Sequence, residues 1–212
     1  MLFYRVVHLI VARGSALLYR ARIVGRERLP KTGGYILAPS HRSMMDIPFA
    51  AVVTPRRVRF MGKVQVFKIP VVGALFTALG GFPVQRDGTD RKAVRDSIDI
   101  LHNGEPLVIY PEGTRQHGST IAPLQRGAAY LAIRADVPIV PVGMAGTEDI
   151  LRGHRSKLPH FGRVAMVVGE PIYPVARAGG AVKRDAVTEL TDTLAKELQQ
   201  VFDAANELRV NR

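Results

Sequence analysis

The sequence predicts a single α/β domain built on a mixed, mostly parallel sheet with helices on both faces. Short apolar segments of strand length alternate along the chain with segments of helical spacing, the pattern of a parallel sheet with crossover helices. The apolar segments are nearly continuous, as expected for strands covered on both faces. The 212 residues suit one domain, and no Ser- or Gly-rich linker divides them.

Residues 1–21 are predicted to form an amphipathic helix that precedes a domain of residues 22–212. Within this N-terminal segment, the longest stretch without Lys, Arg, Asp or Glu runs from Val6 to Ala12. That stretch is too short for a membrane span of about 20 apolar residues. At about 100° per residue, basic and apolar residues fall on different sides of this helix. The basic side has Arg5, His8, Arg13 and Arg20, and the apolar side has Phe3, Val7, Ile10, Val11, Leu17 and Leu18.

Two interpretations of this N-terminal helix stay open. It either packs on the domain as a docking helix or lies in an anionic membrane surface, and one helix can do both. A secretory signal peptide is not expected, because the charges are interspersed and no small-residue cleavage site follows an apolar stretch.

The first half of the domain is predicted to hold three strands. Tyr35–Pro39 (YILAP) and Val58–Met61 are short apolar runs, and Phe82–Gln85 follows a Gly-Gly pair. Ile47–Val53 suits a short helix between the first two strands. Ile69–Leu79 is largely apolar, which allows either a helix or a buried hairpin.

The second half is predicted to continue the alternation of helices and strands. Its apolar strands are short and its helices carry apolar stripes, of which Leu190, Leu194 and Leu198 are the clearest. The predicted strands are Pro106–Tyr110 (PLVIY), Ile139–Val142 and Arg163–Val168, and the predicted helices are Thr89–Leu101, Arg126–Ala135 and Ala181–Leu208.

The charge and composition restrict the classes of function. The formal net charge of +12 favours an anionic partner such as a nucleic acid, an anionic lipid or a phosphorylated metabolite. The chain has no Cys, which excludes a thiol nucleophile and a disulfide. Nucleotide-binding fingerprints are missing. A nucleic-acid recognition motif is also missing, and aromatic residues make up 7%, few for stacking on bases, so nucleic-acid binding is not expected. His154 and His160 are too isolated to predict a metal site.

Catalytic candidates follow the first predicted strand, since active sites of α/β folds collect at such loops. The loop from Ser40 to Asp46 reads SHRSMMD. Asp46 is suited to hold the imidazole tautomer of His41 so that its other nitrogen takes a proton from a hydroxyl. Five residues on one continuous helix diverge by about 140°, so the pair requires a loop-to-helix junction. The alternative is a surface histidine and a helix-capping aspartate.

A second candidate, Arg86, stands where the strand Phe82–Gln85 ends, a natural place to meet a phosphate. The alternative is a surface arginine paired with Asp87 or Asp90. Between the two loops, residues 56–68 form a basic stretch that includes Lys63 and is interleaved with apolar residues. Such a stretch suits a surface facing lipid or a buried strand.

The third loop, Tyr110-Pro-Glu-Gly-Thr-Arg115, directly follows a buried strand. Gly113 would let the backbone approach a ligand closely. The planar fork of Arg115 suits a phosphoryl group, because it binds two oxygens. A turn with a structural Glu–Arg ion pair at Glu112 is the alternative.

Taken in order, five segments resemble the PlsC-like glycerolipid acyltransferases, the 1-acylglycerol-3-phosphate O-acyltransferase family. The resemblance covers roughly residues 22 to 175. Ser40–Asp46 is similar to the NHxxxxD block, Phe60–Pro70 to a Lys-containing segment ending in LFxxP, Gly81–Arg86 to the second block, Tyr110–Arg115 to FPEGTR, and Val137–Val142 to a VPIVPV-type block.

The resemblance implies a fold, a reaction and site residues. The fold is of the glycerol-3-phosphate acyltransferase type. His41 is the general base, oriented by Asp46, and the acceptor hydroxyl attacks the thioester of acyl-CoA or acyl-carrier protein directly, with no cofactor or metal. The acceptor is 1-acylglycerol-3-phosphate and the product phosphatidic acid, for phospholipid biosynthesis. The remaining implied residues are Arg86, Arg115 and Lys63 for the phosphate, Glu112 and Gly113 for the shape of the acceptor site, and Thr114 for support of the loop.

Two departures from the family pattern leave the acceptor open. Ser40 stands where the family usually has Asn, and Gln125 stands where members often have Lys. A Ser can still hydrogen-bond the loop, so activity is expected to survive. The missing Lys keeps another lysolipid or a lipid-linked acceptor as an alternative. A non-catalytic lipid-binding or nucleic-acid-binding protein is the remote one.

Long-chain substrates imply peripheral attachment to the cytoplasmic face of the cell membrane. The N-terminal helix and the basic stretch of residues 56–68 are the expected contacts with an anionic membrane surface. An apolar tunnel for the acyl chain is expected, for which Val71, Val72, Leu75 and Phe76 are lining candidates, although the same residues suit a core.

Overall fold

The computed structural model describes residues 2–84, 91–150, 161–175 and 181–210. Its strands are β1 (Arg22–Val24), β2 (Ile36–Pro39), β3 (Arg59–Lys63), β4 (Gly81–Val84), β5 (Leu107–Val108), β6 (Ile139–Ala145) and β7 (Ala165–Val168). They form one sheet in the order β1-β7-β6-β2-β5-β3-β4.

Helices connect and flank these strands. A short 3₁₀ helix, Arg26–Arg28, follows β1. The α-helices are α1 (Leu2–Leu18), α2 (Asp46–Val53), α3 (Val64–Phe67), α4 (Pro70–Ala78), α5 (Arg91–His102), α6 (Gly127–Ala135), α7 (Thr147–Ile150) and α8 (Arg184–Val210).

The sheet is mixed and mostly parallel, as predicted. Strand β2 pairs in parallel with β5 and β6, and β3 pairs in parallel with β4 and β5. Strand β7 is antiparallel to β6, and β1 runs parallel to β7. The carboxyl ends of β2 to β6 therefore meet at one edge of the sheet, where a ligand site is expected.

The direction of each crossover decides which face its helix covers. The connections β2-α2-β3 and β3-α4-β4 move in one direction along the sheet, whereas β4-α5-β5 and β5-α6-β6 move back. Because such crossovers are right-handed, α2 and α4 lie on one face and α5 and α6 on the other. We refer to these as the α2 face and the α6 face.

The core divides into clusters on these two faces. Leu37 and Val140 point to the α2 face and pack with Phe49, while the neighbouring Ile36 and Ile139 point to the α6 face. Successive strand residues point to opposite faces, so a strand with helices on both sides must be apolar throughout. That requirement explains the continuous apolar runs in the sequence.

The predicted elements agree with the structure except at edges and short pieces. Ile69–Leu79 holds the helix α4 rather than a hairpin. The short elements β1, α3 and α7 were not predicted. They have three or four residues each, too few for a periodic apolar pattern. The predicted ends at Gln85 and Thr89 lie outside the described residues.

Helix α1 packs on the α2 face of the domain. Val11 joins the cluster there, the hydroxyl of Tyr4 accepts a 3.2 Å hydrogen bond from the backbone N–H of Val58, and the Nε2 of His8 lies 3.1 Å from the carbonyl oxygens of Ala51 and Thr54. His8 therefore faces the domain, whereas Arg5 and Arg13, which the sequence placed on the same basic side, are exposed.

The apolar residues of α1 are divided between the domain and solvent. Val7 and Val11 face the domain, whereas Phe3, Ile10 and Leu17 are exposed. The helix ends at Leu18, so Arg20 lies beyond it. Among the residues that the structure describes, none of the helices combines the length and apolar character needed to cross a bilayer.

Candidate active site

The central feature of the site is a hydrogen bond between His41 and Asp46. His41 follows β2 and Asp46 begins α2, so the chain turns from loop to helix between them. The Nδ1 of His41 lies 2.8 Å from the Oδ2 of Asp46. We assign the proton of this bond to Nδ1, which leaves Nε2 as the ring nitrogen that can accept a proton. The pair therefore has the geometry of a base and the carboxylate that orients it, which a reacting hydroxyl would complete.

Further donors fix Asp46. Its Oδ2 accepts hydrogen bonds from the backbone N–H groups of Arg42 (2.6 Å) and Ser43 (2.7 Å). Its Oδ1 accepts a 2.5 Å bond from the hydroxyl of Thr147, at the start of α7. The carboxyl group is fully buried, and every partner donates to it, which matches the acceptor-only chemistry of a carboxylate. Asp46 therefore holds the imidazole in one orientation.

Tyr110 packs against the imidazole of His41. The two rings are stacked with their centroids 4.1 Å apart and an interplanar angle of 27°. The hydroxyl of Tyr110 is buried and has no hydrogen-bond partner among the described residues. Burial, and secondarily the charge of Asp46, raises the pKa of Tyr110 well above its usual value. The phenol is therefore neutral beside the dyad.

Glu112 holds the backbone of the His41 loop. Its Oε1 accepts a 2.9 Å bond from the backbone N–H of His41, and both carboxylate oxygens lie 2.9 Å from Nη1 of Arg42. Its Oε2 also accepts a 3.0 Å bond from the backbone N–H of Ala122. The Glu112 carboxylate is completely buried, so it forms an ion pair inside the protein rather than a wall open to a ligand.

Ser40 anchors the start of the same loop to β6. The backbone N–H of Met144 donates a 3.0 Å hydrogen bond to its hydroxyl oxygen. Ser40 itself is fully buried. The hydroxyl of Ser40 thus bonds the backbone of β6, whereas the sequence led us to expect a bond to the loop.

The turn after Tyr110 presents its next residues to solvent. The backbone N–H of Gly113 donates a 3.0 Å bond to the carbonyl of Tyr110, and Gly113 has φ +75°, which favours glycine. Thr114 accepts a 3.1 Å bond from the side chain of Gln116 and is exposed, as is Arg115. Arg115 is therefore open to a ligand at the carboxyl edge of the sheet.

Two of the predicted phosphate-binding residues are only partly described or not described. Lys63 is the last residue of β3 and pairs with Val84 of β4, but its side chain lies outside the described part of the structure. Arg86 lies outside the described residues altogether. The carboxyl end of β3 thus places the backbone of Lys63 at the same edge of the sheet as His41.

An apolar pocket of about 610 Å³ adjoins the dyad on the α2 face. Its volume is within the usual range of small-molecule sites, about 300–1,000 Å³. His41, Tyr110 and Gly113 contribute to its lining, together with side chains from α1, α2, β3, α4 and β4. The pocket is therefore suited to a long apolar group whose end meets the imidazole.

One of the four predicted tunnel residues lines this pocket. Phe76 points inward, where it packs edge-on against Phe60 with ring centroids 5.8 Å apart. Val71, Val72 and Leu75 are exposed on the outer side of α4, so both the lining and the core interpretations are wrong for them. In the described ranges no group of His, Cys, Asp and Glu side chains is arranged to hold a metal ion.

Comparison with known proteins decides the family. The family model described as Acyltransferase matches residues 20–145, more than half of the chain. This chain belongs to the acyltransferase family. The matched range contains His41, Asp46 and the turn at Gly113, so the family's region and the geometric site coincide.

Individual relatives agree with this assignment. A 1-acyl-sn-glycerol-3-phosphate acyltransferase of Bacillus subtilis (strain 168) is 27% identical over 185 residues, which are 86% of this chain and 89% of that protein. A 1-acyl-sn-glycerol-3-phosphate acyltransferase alpha of Mus musculus is 26% identical over 191 residues, covering 86% of this chain and 64% of that protein.

A solved structure shares the fold of this acyltransferase. The crystal structure of the 1-acyl-sn-glycerophosphate (LPA) acyltransferase PlsC from Thermotoga maritima matches with a TM-score of 0.78 at 24% sequence identity. The match covers 99% of this chain and 80% of that chain.

Several residues of the acyltransferase site carried no individual signal in the sequence. Thr147 reaches Asp46 from 101 residues away, which no local pattern reveals. Arg42 and Tyr110 stood within motif blocks but without a role of their own. Gln199 of α8 accepts a 2.8 Å bond from the backbone N–H of Ile121 and so holds the loop that follows Arg115. These residues support the site through tertiary contacts alone.

Proposed function

We propose that this acyltransferase transfers a fatty acyl group from acyl-CoA or acyl-carrier protein to the free hydroxyl of 1-acylglycerol-3-phosphate, forming phosphatidic acid in phospholipid biosynthesis. The observation that carries the proposal is the His41–Asp46 hydrogen bond of 2.8 Å beside an apolar pocket of about 610 Å³. The names of the relatives in Bacillus subtilis and Mus musculus supply the acceptor.

The reaction needs one base and no acyl-enzyme intermediate. The Nε2 of His41 removes the proton from the acceptor hydroxyl as its oxygen attacks the thioester carbonyl carbon. The tetrahedral intermediate then collapses, the carbon–sulfur bond breaks, and the imidazolium returns the proton to the leaving thiolate. Asp46 stabilises the imidazolium that forms between the two proton transfers. The absence of Cys from the chain agrees with direct transfer, because a thiol acyl-enzyme is impossible.

The pocket supplies the site for an acyl chain. Its lining is dominated by apolar side chains, including Phe76 of α4 and Val7 of α1. Burial of a methylene group stabilises a complex by about 0.8 kcal/mol, so a long chain provides much of the binding free energy. The chain held there would direct its carbonyl carbon to the imidazole.

Arg115, Arg86 and Lys63 form the proposed site for the acceptor phosphate. Arg115 is exposed next to the Gly113 turn, and its guanidinium can bind two phosphate oxygens. Lys63 is the last residue of β3, and Arg86 comes two residues after the end of the neighbouring strand β4 in the sequence. In this proposal Glu112 positions the catalytic loop rather than contacting the acceptor, and Gly113 and Thr114 shape the turn that carries Arg115.

Attachment to an anionic membrane surface, at the cytoplasmic face of the cell membrane, is part of the proposal. Arg5 and Arg13 of α1 are exposed and can contact acidic headgroups. The basic stretch of residues 56–68 contributes less than the sequence suggested. Arg56 donates to the carbonyl of Pro30 at 3.1 Å, and Arg59 lies 3.8 Å from Glu105. These two guanidinium groups serve the fold, which leaves α1 and the exposed Lys68 as basic contacts.

Thiol release from palmitoyl-CoA in the presence of lysophosphatidic acid tests the proposal. We expect release that depends on the acceptor in the native chain and is lost in His41→Ala. Release that persists in the variant would exclude His41 as the base. Absence of release with both acyl-CoA and acyl-carrier protein donors, in a chain that remains folded, would contradict the proposed reaction.

One observation favours another lysolipid, instead of lysophosphatidic acid, as the acceptor. Gln125, which stands where the family often has Lys, lies against the Gly113 turn, with its Cγ 3.1 Å from the position a Cβ at Gly113 would take. A neutral side chain against the turn that carries Arg115 removes one possible phosphate contact that a Lys would make. Competition between lysophosphatidic acid and other lysolipids in the same assay distinguishes the two acceptors.

A further inference from the structure

The outer side of α4 carries an apolar surface that the described part of the chain leaves exposed. Four residues at the start of this helix are exposed, and we call them the α4 patch: Ile69, Val71, Val72 and Leu75. Val71 is 82% exposed, and Leu75 lies one turn further along the same side. An exposed apolar patch of this kind marks an interaction surface.

The inner side of the same helix is tightly packed, so α4 cannot rotate to bury the patch. Phe76 packs edge-on against Phe60 and Phe67, with ring centroids 5.8 and 6.1 Å apart. A Cβ added at Gly73 would lie only 2.3 Å from the carbonyl oxygen of Phe67, which shows how closely the helix approaches α3. The orientation of the patch toward solvent is therefore fixed.

Helices α1 and α4 expose apolar residues on the same side of the molecule. Val11 of α1 and Phe60 of β3 both pack against the cluster on the α2 face. The ring of Phe60 in turn contacts the ring of Phe76 of α4. Both helices also line the same pocket. Their outer sides consequently point away from one face of the sheet, with Ile10 (64% exposed) on α1 and the α4 patch on α4.

The charge around these helices identifies the partner. None of the 18 acidic residues falls in residues 1–26 or 47–86, the two segments that contain α1 and α4. Both segments carry arginines or lysines, and Lys68 is exposed immediately before the α4 patch. Apolar side chains flanked by cations and free of anions fit the surface of an anionic bilayer, where acyl chains meet acidic headgroups.

We propose that the α4 patch inserts into an anionic lipid bilayer, as a second contact beside α1, and that the pocket opens between these two inserted helices. The inference rests on the proposed function in one respect, since lipid substrates must pass between a bilayer and the pocket whose walls both helices form. Contact at α4 as well as α1 places that pocket at the level of the acyl chains.

A tryptophan probe tests this contact, because the chain contains no Trp of its own. The full chain carrying Val71→Trp is mixed with vesicles of equal parts phosphatidylglycerol and phosphatidylcholine. We expect its emission to shift to the blue and to be quenched when the phosphatidylcholine carries brominated acyl chains. The matched control is Val175→Trp, at 83% exposure, three residues after Ile172, which packs on the α6 face. Its emission is expected to stay unchanged.

Replacement by charge provides the second measurement. Val71→Asp is expected to weaken flotation with the same vesicles at least tenfold, while Val175→Asp leaves it unchanged. Binding without quenching of the Val71→Trp indole, or equal flotation of both Asp variants, overturns the inference. A blue shift without vesicles that grows with protein concentration also overturns it, because the patch would then cover a second copy of the chain.

The experiment separates this inference from the proposed reaction. Quenching at position 71 in a protein that releases no thiol from acyl-CoA supports the membrane contact and contradicts the proposed function. Thiol release in a protein whose Val71→Trp indole is not quenched supports the proposed function and contradicts the membrane contact.

Discussion

The carboxylate of Glu112 accepts a 2.9 Å hydrogen bond from the backbone N–H of His41, 71 residues earlier in the chain. The same carboxylate pairs with Arg42, whose guanidinium lies 4.5 Å from the centroid of the Phe202 ring and donates to the carbonyl of Thr120 at 3.1 Å. One buried ion pair thus joins the loops after β2 and β5 and the helix α8. The backbone of His41 is therefore tied to this ion pair.

Replacement of Glu112 by Gln tests that dependence. The variant leaves the buried Arg42 guanidinium without a charged partner, and breaking such a pair costs about 3–5 kcal/mol in the free energy of unfolding. We expect a loss toward the lower end of that range, because the amide oxygen still accepts from His41. Urea denaturation measures it. A stability equal to that of the native chain would show that the ion pair contributes nothing to the loop.

Thr147 is expected to position Asp46 without contacting substrate. Thr147→Val removes the 2.5 Å bond to Oδ1. We expect kcat of this variant to fall about tenfold, which corresponds to a loss of about 1.4 kcal/mol of transition-state stabilisation. KM should stay unchanged, because the side chain is buried away from the pocket. Thr147→Ser keeps the donor and should retain kcat. Equal kcat values for Val, Ser and native chains would remove Thr147 from the mechanism.

The hydroxyl of Tyr110 is expected to destabilise the fold. It is buried without a partner among the described residues, and an unsatisfied buried hydroxyl costs about 1–3 kcal/mol. Tyr110→Phe keeps the ring stacked on His41 and should raise the free energy of unfolding by about 1 kcal/mol with activity retained. Tyr130→Phe, on the exposed side of α6, is the control. A less stable Tyr110→Phe variant would indicate a partner for the hydroxyl.

The same variant gives a pH-dependent difference of known sign. The pKa of Tyr110 is raised in the native state, first by burial and then by Asp46, whereas the unfolded chain loses the proton near its usual pKa of about 10. Stability from the neutral phenol is thus complete below about pH 10 and declines as the pH rises above it. The advantage of Tyr110→Phe should widen above about pH 10. Tyr4 and Tyr35, whose pKa values are also raised, are present in both chains and cancel. A constant difference across that range would contradict the assignment.

Patterns that are local in sequence predicted much of this molecule. The apolar runs gave β2, β5 and β6, because a strand covered on both faces needs apolar residues at every position. The His41–Asp46 spacing gave a dyad at a loop-to-helix junction, and the structure has that junction. Helical periodicity can separate the Phe76 side of α4 from the opposite side. It cannot show which of the two sides faces the pocket.

Other features depend on contacts between distant segments. The bond from Thr147 to Asp46 and the contact of Gln199 with Ile121 require the sheet to assemble first. Helical spacing placed His8 on the basic side of α1 with Arg5 and Arg13, whereas two carbonyl groups at the end of α2 hold it against the domain. A helix end leaves its last carbonyls without partners, and the sequence does not reveal which side chain supplies them.

The pocket predicts a limit on acyl-chain length that a graded series at Ala51 can move. Ala51 lines the pocket from α2. The described lining residues include no Lys, Arg, Asp or Glu that would bind a substrate headgroup. Replacement by Val, Leu and then Phe fills increasing volume, so the longest donors should lose kcat/KM first while the shortest keep it. The Phe variant should lower kcat/KM for palmitoyl-CoA at least tenfold, equivalent to about 1.4 kcal/mol. Acyl-CoA donors of increasing length measure the cut-off, and Phe76→Ala should shift it the other way. A uniform loss across all lengths would mean that the pocket does not hold the acyl chain.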